Sequence, residues 1–173
     1  MTKKNLTLFI IALLAVDQAV KIVVKTHMAL GESITVFPNW FFIHFVENPG
    51  AAFGMQIGGA TGKLLLSLFR IVFIGGLVWY IGRLMKRNAP RGVIVGFGLI
   101  LAGAIGNMID SAFYGVIFGY APLLHGKVVD MLYFPLFTIG DFTFFSPVFN
   151  FADSFITVGL LYLLLFQRKF FSK

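Results

Sequence analysis

The chain contains no cysteine. Disulfides, thiolate nucleophiles and cysteine-based metal sites are therefore excluded. It is also poor in charge. Only 12% of its 173 residues are Asp, Glu, Lys or Arg, about half the roughly 25% of a soluble domain. So few charges cannot coat a water-exposed globule, which excludes an ordinary soluble domain, a disordered tail and a fibrous repeat. Histidine is scarce as well. His27, His44 and His125 are scattered, with no pair at metal-ligand spacing, which argues against a zinc peptidase. No cofactor and no metal site is implied. Acidic residues number seven against fourteen basic ones. In a chain this apolar the excess of +7 reads as membrane topology and not as affinity for nucleic acid, because no basic run stands outside the loops that flank spans.

What is plentiful is apolar: 58% of residues are hydrophobic and the mean hydropathy is +0.90. A membrane span needs ~20 apolar residues. The pattern predicts a mainly α membrane protein with one integral domain over 1–173. Its four transmembrane helices are expected at about 6–25, 63–82, 92–111 and 149–167. The first resembles a secretory signal peptide, but no small-residue cleavage site closes it, and Asp17, Gln18 and Lys21 interrupt it, so it reads as a retained span. The third is rich in small residues, with Gly92, Gly96, Gly98, Ala102 and Gly106, which let helices approach closely in lipid.

Two segments remain. Residues 28–60 hold β-branched and aromatic residues such as Ile34, Val36, Phe37, Trp40 and Phe41, punctuated by Pro38-Asn39 and Asn48-Pro49-Gly50. They predict a small β-layer on the membrane surface, with Trp40 at the headgroup level. Residues 112–148 are broken by Gly115, Gly119, Pro122, Gly126, Pro135, Gly140 and Pro147. Irregular backbone is not tolerated in contact with lipid, so this stretch predicts an interfacial loop/helix segment. Nine basic residues (Lys3, Lys4, Arg83, Lys86, Arg87, Arg91, Arg168, Lys169, Lys173) fall on one side and Lys25, Lys63 and Lys127 on the other. That places both termini in the cytoplasm and both segments outside.

The carboxylates are the informative residues, since an Asp at mid-span costs roughly 2.5–3.5 kcal/mol on insertion scales. Asp17 and Lys21 stand four apart and can neutralise each other across one helical turn. Asn107-Met-Ile-Asp110 closes the third span and Asn150-Phe-Ala-Asp153 opens the fourth, each pair sharing a helix face. Asp130 lies in the outward segment between them. Folded back, that segment brings Asp130 to Asp153. Two carboxylates in a poorly hydrated site share a proton, one acting as base on a water and the other as acid on a carbonyl. On the residues alone the plain reading also stands: Asp130 as a solvated loop acid, Asp153 as a helix N-terminal acid satisfied by the dipole.

Taken together the motifs are more specific. Asp17-Gln18-Ala-Val-Lys21, Glu47-Asn48-Pro-Gly50-Ala51-Ala52-Phe53-Gly54, Gly106-Asn107-Met-Ile-Asp110, Val128-Val129-Asp130 and Phe149-Asn150-Phe-Ala152-Asp153-Ser154 occur in the order seen in lipoprotein signal peptidases. The chain resembles that family, signal peptidase II of the bacterial inner membrane, from about residue 15 to the fourth span. The resemblance implies a membrane aspartic endopeptidase that removes the signal peptide before the diacylglyceryl-modified cysteine of a prolipoprotein. It places the catalytic dyad on Asp130 and Asp153. Substrate-binding or dyad-supporting positions fall on Asn48, Gly50, Asn107, Asp110, Asn150, Ala152, Asp17 and Lys21. The implied partners are the diacylglyceryl prolipoprotein, membrane lipid and the inhibitor globomycin, with the enzyme expected as a monomer. Three positions depart from the pattern: Ser111 stands where Arg usually follows, Val20 replaces a small hydroxyl residue, and residues 113–125 are extra.

Two rivals predict other things. A proton-coupled transporter places its acids near the midplane of repeated halves; here the halves are unlike. An assembly factor would use the small-residue third span for docking and be indifferent to Asp→Asn changes. A presenilin-like reading of Ile139-Gly140-Asp141 fails because Asp141 follows Pro135 in a broken stretch and not in a span.

Overall fold

The computed structural model describes residues 1–50, 59–135, 137–139, 142–144 and 147–172. The calls on Ala51, Ala52, Phe53, Gly54, Gly140, Asp141 and Lys173 lie outside the described residues.

Helix α1 runs Lys3–His27. Thr2 opens it, its hydroxyl accepting the Asn5 amide at 3.2 Å, as a short oxygen-bearing side chain does at an N-cap. Strands β1 (Ser33–Phe37) and β2 (Phe41–Asn48) form a hairpin, with Asn39 in the left-handed region at its turn (φ 71). Helix α2 (Gly59–Lys86) and helix α3 (Arg91–Ile109) follow, joined where Pro90, which cannot donate within a helix, precedes the new start. A π-helical turn, Asp110–Tyr114, and a short helix α4, Gly115–Ile117, prolong α3. Then come β3 (Val128–Tyr133), the small hairpin β4 (Phe137–Ile139) and β5 (Phe142–Phe144), and β6 (Val148–Phe149). Helix α5 (Phe151–Phe166) and the terminal turn α6 (Arg168–Phe171) complete the chain.

The expected class is met: a mainly helical membrane protein with a small antiparallel sheet. Helices α1, α2 and the α3–α4 stretch to Ile117 are each long and apolar enough to cross a membrane, and α5 is a shorter apolar helix of 16 residues. On α2, Leu65, Phe69, Val72, Val78 and Trp79 are exposed. A face of that kind is stable against lipid and not against water.

Two details differ from the sequence reading. The helix expected to stop near 111 continues as a π-turn, whose wider winding keeps Asp110 and Ser111 both wholly buried. The sheet has order β1-β2-β3-β6, so its third strand comes from the segment read as loop and helix. Val128-Val129-Asp130-Met131-Leu132-Tyr133 is β-branched and aromatic enough to pair, and it covers the edge that β2 would otherwise leave open. The register sets Val46 opposite Asp130 and Asn48 opposite Val128.

Two apolar clusters bracket a polar layer. One gathers Leu6, Leu77, Ile81, Val93, Leu101 and Leu163. The other gathers Val24, Phe45, Tyr114, Val129, Met131 and Leu132 beneath the sheet. Along α1 the layer lies at Asp17 and Lys21, between Leu6 and Val24; along α3 it lies at Asn107 and Asp110. Helices α3 and α5 meet at Gly103, where an added Cβ would stand 2.2 Å from the Ala152 carbonyl oxygen.

Candidate active site

Lys21 is the centre of the polar layer and is fully buried. Its Nζ lies 3.0 Å from Asp17 Oδ2 and 3.0 Å from Asp110 Oδ2, and it donates to Asn107 Oδ1 at 3.0 Å. The i, i+4 pair read from the sequence is therefore two members of a triad. Each acid spends its other lone pairs on backbone or amide donors. Asp17 Oδ1 accepts the Ala152 amide at 3.0 Å. Asp110 Oδ2 accepts the Val129 amide at 3.1 Å, and Oδ1 accepts Gln18 Nε2 at 3.0 Å. Buried charges survive only when paired and fully hydrogen-bonded. Here that requirement ties α1 to the start of α5 and the π-turn to β3.

Those ties present Asp130 and Asp153. Asn150 follows β6 and caps α5 with a capping box: its Oδ1 accepts the Asp153 amide at 2.9 Å, and Asp153 Oδ2 accepts the Asn150 amide at 3.3 Å. Asn150 Nδ2 meanwhile donates to Asp130 Oδ1 at 2.6 Å and lies 3.1 Å from Asn107 Oδ1. Asn107 Nδ2 donates to Asp153 Oδ1 at 2.7 Å. Two asparagines thus hold the two acids in one continuous network. Asp130, on β3, is pushed up to about 7. Burial is the main cause and the Asp153 charge the second, opposed by the bonds from Asn48 and Asn150 and by the Lys21 charge.

Asn48, at the end of β2, faces the same carboxylate: Nδ2 donates to Asp130 Oδ2 at 3.2 Å, while Oδ1 accepts the Gly50 amide at 2.8 Å. Gly50 has φ 104, a region reserved for glycine, and an added Cβ would meet the Leu66 side chain at 2.4 Å. Ala152 is fully buried against α3; its small size lets the helix start approach. All ten residues singled out from the sequence therefore lie in this layer or on its rim.

Other residues were missed. Lys63 Nζ and Arg70 Nη1, both on α2, donate to Ser111 Oγ at 3.2 and 2.6 Å. Ser111 thus receives basic groups from a different helix. The available signal was Arg70 itself, isolated in an apolar span. Gln18 bonds Asp17, Asp110 and the Gly106 carbonyl, and accepts from the Tyr114 hydroxyl at 3.2 Å. On the rim, Glu47 bridges Lys25 and Lys127. Burial works against its charge, yet these two lysines hold the carboxyl below its usual range. Lys25 also lies over the Phe118 and Tyr120 rings, each 4.8 Å away, and the Lys127 amide donates to the Tyr120 hydroxyl at 2.8 Å. The 113–125 stretch is fastened down through this clasp at Phe118 and Tyr120.

Arranged this way, an Asp130 carboxyl that holds its proton to near neutrality stands in one hydrogen-bond network with a second acid and with amide donors, a set able to exchange protons with water.

Comparison with known proteins identifies the family. A family model for signal peptidase (SPase) II matches residues 9–169. A lipoprotein signal peptidase of Porphyromonas gingivalis is 48% identical over 93% of this chain and 81% of its own length. One of Amoebophilus asiaticus is 39% identical over 97% and 80%. Among solved structures, a bacterial membrane enzyme determined by the in meso method at 2.3 Å resolution superposes with a TM-score of 0.69 at 27% identity, covering 96% of this chain and 89% of that one. A polar layer of this composition at the end of an apolar bundle, in a chain matched almost throughout, leads to one assignment: the chain belongs to the signal peptidase II family, the membrane-embedded lipoprotein signal peptidases.

Proposed function

We propose that the chain is an aspartic endopeptidase that cleaves the signal peptide from diacylglyceryl-modified prolipoproteins, using Asp130 and Asp153 as its dyad. The pair shares one proton and holds a water. The ionised carboxyl takes a proton from that water as it attacks the carbonyl preceding the lipid-modified cysteine. The protonated carboxyl donates to the carbonyl oxygen, and the resulting tetrahedral species collapses with a proton passing to the leaving amine. Asn107 and Asn150 hold the acids, and Asn48 with the Gly50 turn receives the substrate backbone. Asp17, Lys21, Asp110 and Ala152 fix the frame. The observation that carries this reading is the network Asp130–Asn150–Asn107–Asp153, in which the Asp130 carboxyl is raised to about 7 beside the second acid.

The same reading places all four helices across the bacterial inner membrane, as one integral domain with cytoplasmic termini and the sheet and the 112–148 segment outside. Helix α5 spans about 24 Å by its rise, and Arg168 and Lys169 reach the inner headgroups beyond it. The enzyme acts as a monomer, takes acyl chains from surrounding lipid, and accepts globomycin in the cleft.

The test is cleavage of a purified diacylated prolipoprotein by the wild type, Asp130→Asn and Asp153→Asn, each with and without globomycin. Loss of at least a thousandfold in both variants, with unfolding temperatures close to wild type, is expected from removal of a general acid or base. Wild-type turnover in either variant removes the dyad.

A further inference from the structure

Arg70 stands alone between Lys63 and Arg83 on α2, and a guanidinium inside a span needs a partner or a task. Among the described residues its hydrogen-bond partner is the Ser111 hydroxyl, which the buried Lys63 also uses. Both lone pairs of that oxygen are then committed to cations. No carboxylate pairs directly with either base among the described residues. Arg70 instead acts at longer range on Asp153, and then on Asp110 and Asp130.

The charges of the layer explain the arrangement. Four carboxyls face one another: Asp17 from α1, Asp110 from the π-turn, Asp130 from β3 and Asp153 from α5. Three cations face them: Lys21 from α1, and Lys63 and Arg70 from α2. With a single proton on the Asp130–Asp153 pair the layer is electrically neutral. Without Arg70, neutrality requires a second proton on that pair, which leaves no base. The remaining charged groups nearby, Glu47 with Lys25 and Lys127, are engaged with each other. The Tyr114 hydroxyl donates to Gln18, and the Tyr120 hydroxyl accepts from the Lys127 amide.

We propose that Arg70, fastened by Ser111, is a positioning residue that holds the Asp130–Asp153 pair in its singly protonated, water-activating state. The proposal rests on the dyad reading above. It also gives Ser111 a role, as the anchor that orients a cation supplied from α2.

The test is the pH profile of kcat/KM for the full-length protein in bilayer mimetic, with a purified diacylated prolipoprotein as substrate. Arg70→Met is expected to slide the whole bell to higher pH by about one unit, since removal of a nearby cation makes each proton harder to release. At a fixed pH, activity then falls about tenfold on the acidic flank and rises about tenfold on the alkaline flank. Arg70→Lys keeps the charge and leaves the bell in place. Ser111→Asp pairs both bases directly and moves the bell in the same direction as Arg70→Met, so either folded variant reads the outcome. A merely structural role scales the profile down without moving it. An unshifted bell in a folded Arg70→Met or Ser111→Asp protein overturns the proposal. Asp130→Asn and Asp153→Asn run alongside separate the two failures. Inactive Asn variants with an unshifted Arg70→Met bell discard Arg70 alone, whereas an active Asn variant discards the dyad.

Discussion

Asn150 donates to the Asp130 carboxylate at 2.6 Å while its own carbonyl oxygen accepts the Asp153 amide at 2.9 Å. One side chain therefore starts α5 and connects the two acids. Removing different parts of it separates the jobs. Serine is a good N-cap but is too short to reach Asp130, whereas alanine does neither. Asn150→Ala is expected to lose about 1 kcal/mol more stability than Asn150→Ser, while both lose at least tenfold in kcat. Thermal unfolding and cleavage assays in the same detergent read the two effects. Equal stability of the two variants would show that the cap contributes nothing.

The raised Asp130 carboxyl makes both activity and stability depend on pH. Its folded-state value, about 7, lies above its ordinary value of 3.8, so between those limits the folded protein binds the proton more tightly than the unfolded chain. Stability from this group is then greatest at low pH and declines as pH rises through 4 to 7, reaching its full penalty above 7. Unfolding temperatures of the wild type are expected to fall over that interval, and Asp130→Asn is expected to flatten this component. Turnover should likewise fall on the alkaline side as the shared proton is lost. A wild-type unfolding temperature that rises steadily from pH 4 to 8, with Asp130→Asn following the same curve, contradicts the assignment.

Gly103 sets the spacing of α3 and α5. Because an added Cβ would stand 2.2 Å from the Ala152 carbonyl oxygen, Gly103→Ala must push rigid backbone aside. The expected cost is about 1–3 kcal/mol, with kcat lowered more than KM is raised, since Asn150 and Asp153 ride on the displaced helix start. Gly82→Ala, on α2 with open space around it, is the control and should behave as wild type.

Much of this could be read without coordinates, for identifiable reasons. The apolar runs exposed the helices because lipid demands them. Asp17 and Lys21 declared themselves by spacing four apart, and Asn150-Phe-Ala-Asp153 has the spacing of a capping box. What spacing could not show was the third member of each group. Asp110 joins Asp17 and Lys21 from another helix, and its winding into a π-turn depends on tertiary packing against β3. Strand β3 itself was hidden among glycines and prolines whose breaks mark the ends of strands as well as loops. Lys63, Arg70 and Ser111 come from helices 41 and 48 positions apart along the chain, so only folding reveals that they meet.

The bond from the Ala152 amide to Asp17 joins the first helix made to the last long one. A ribosome delivering this polypeptide exposes Asp17 to the insertion machinery long before its distant partner exists. During that interval Lys21 is the nearby counterion that lets the segment enter lipid as a neutral unit. Assembly of the polar layer then waits for the final apolar stretch, so a nascent chain has neither the Ala152 bond nor the Asn150 capping box until its synthesis is nearly finished.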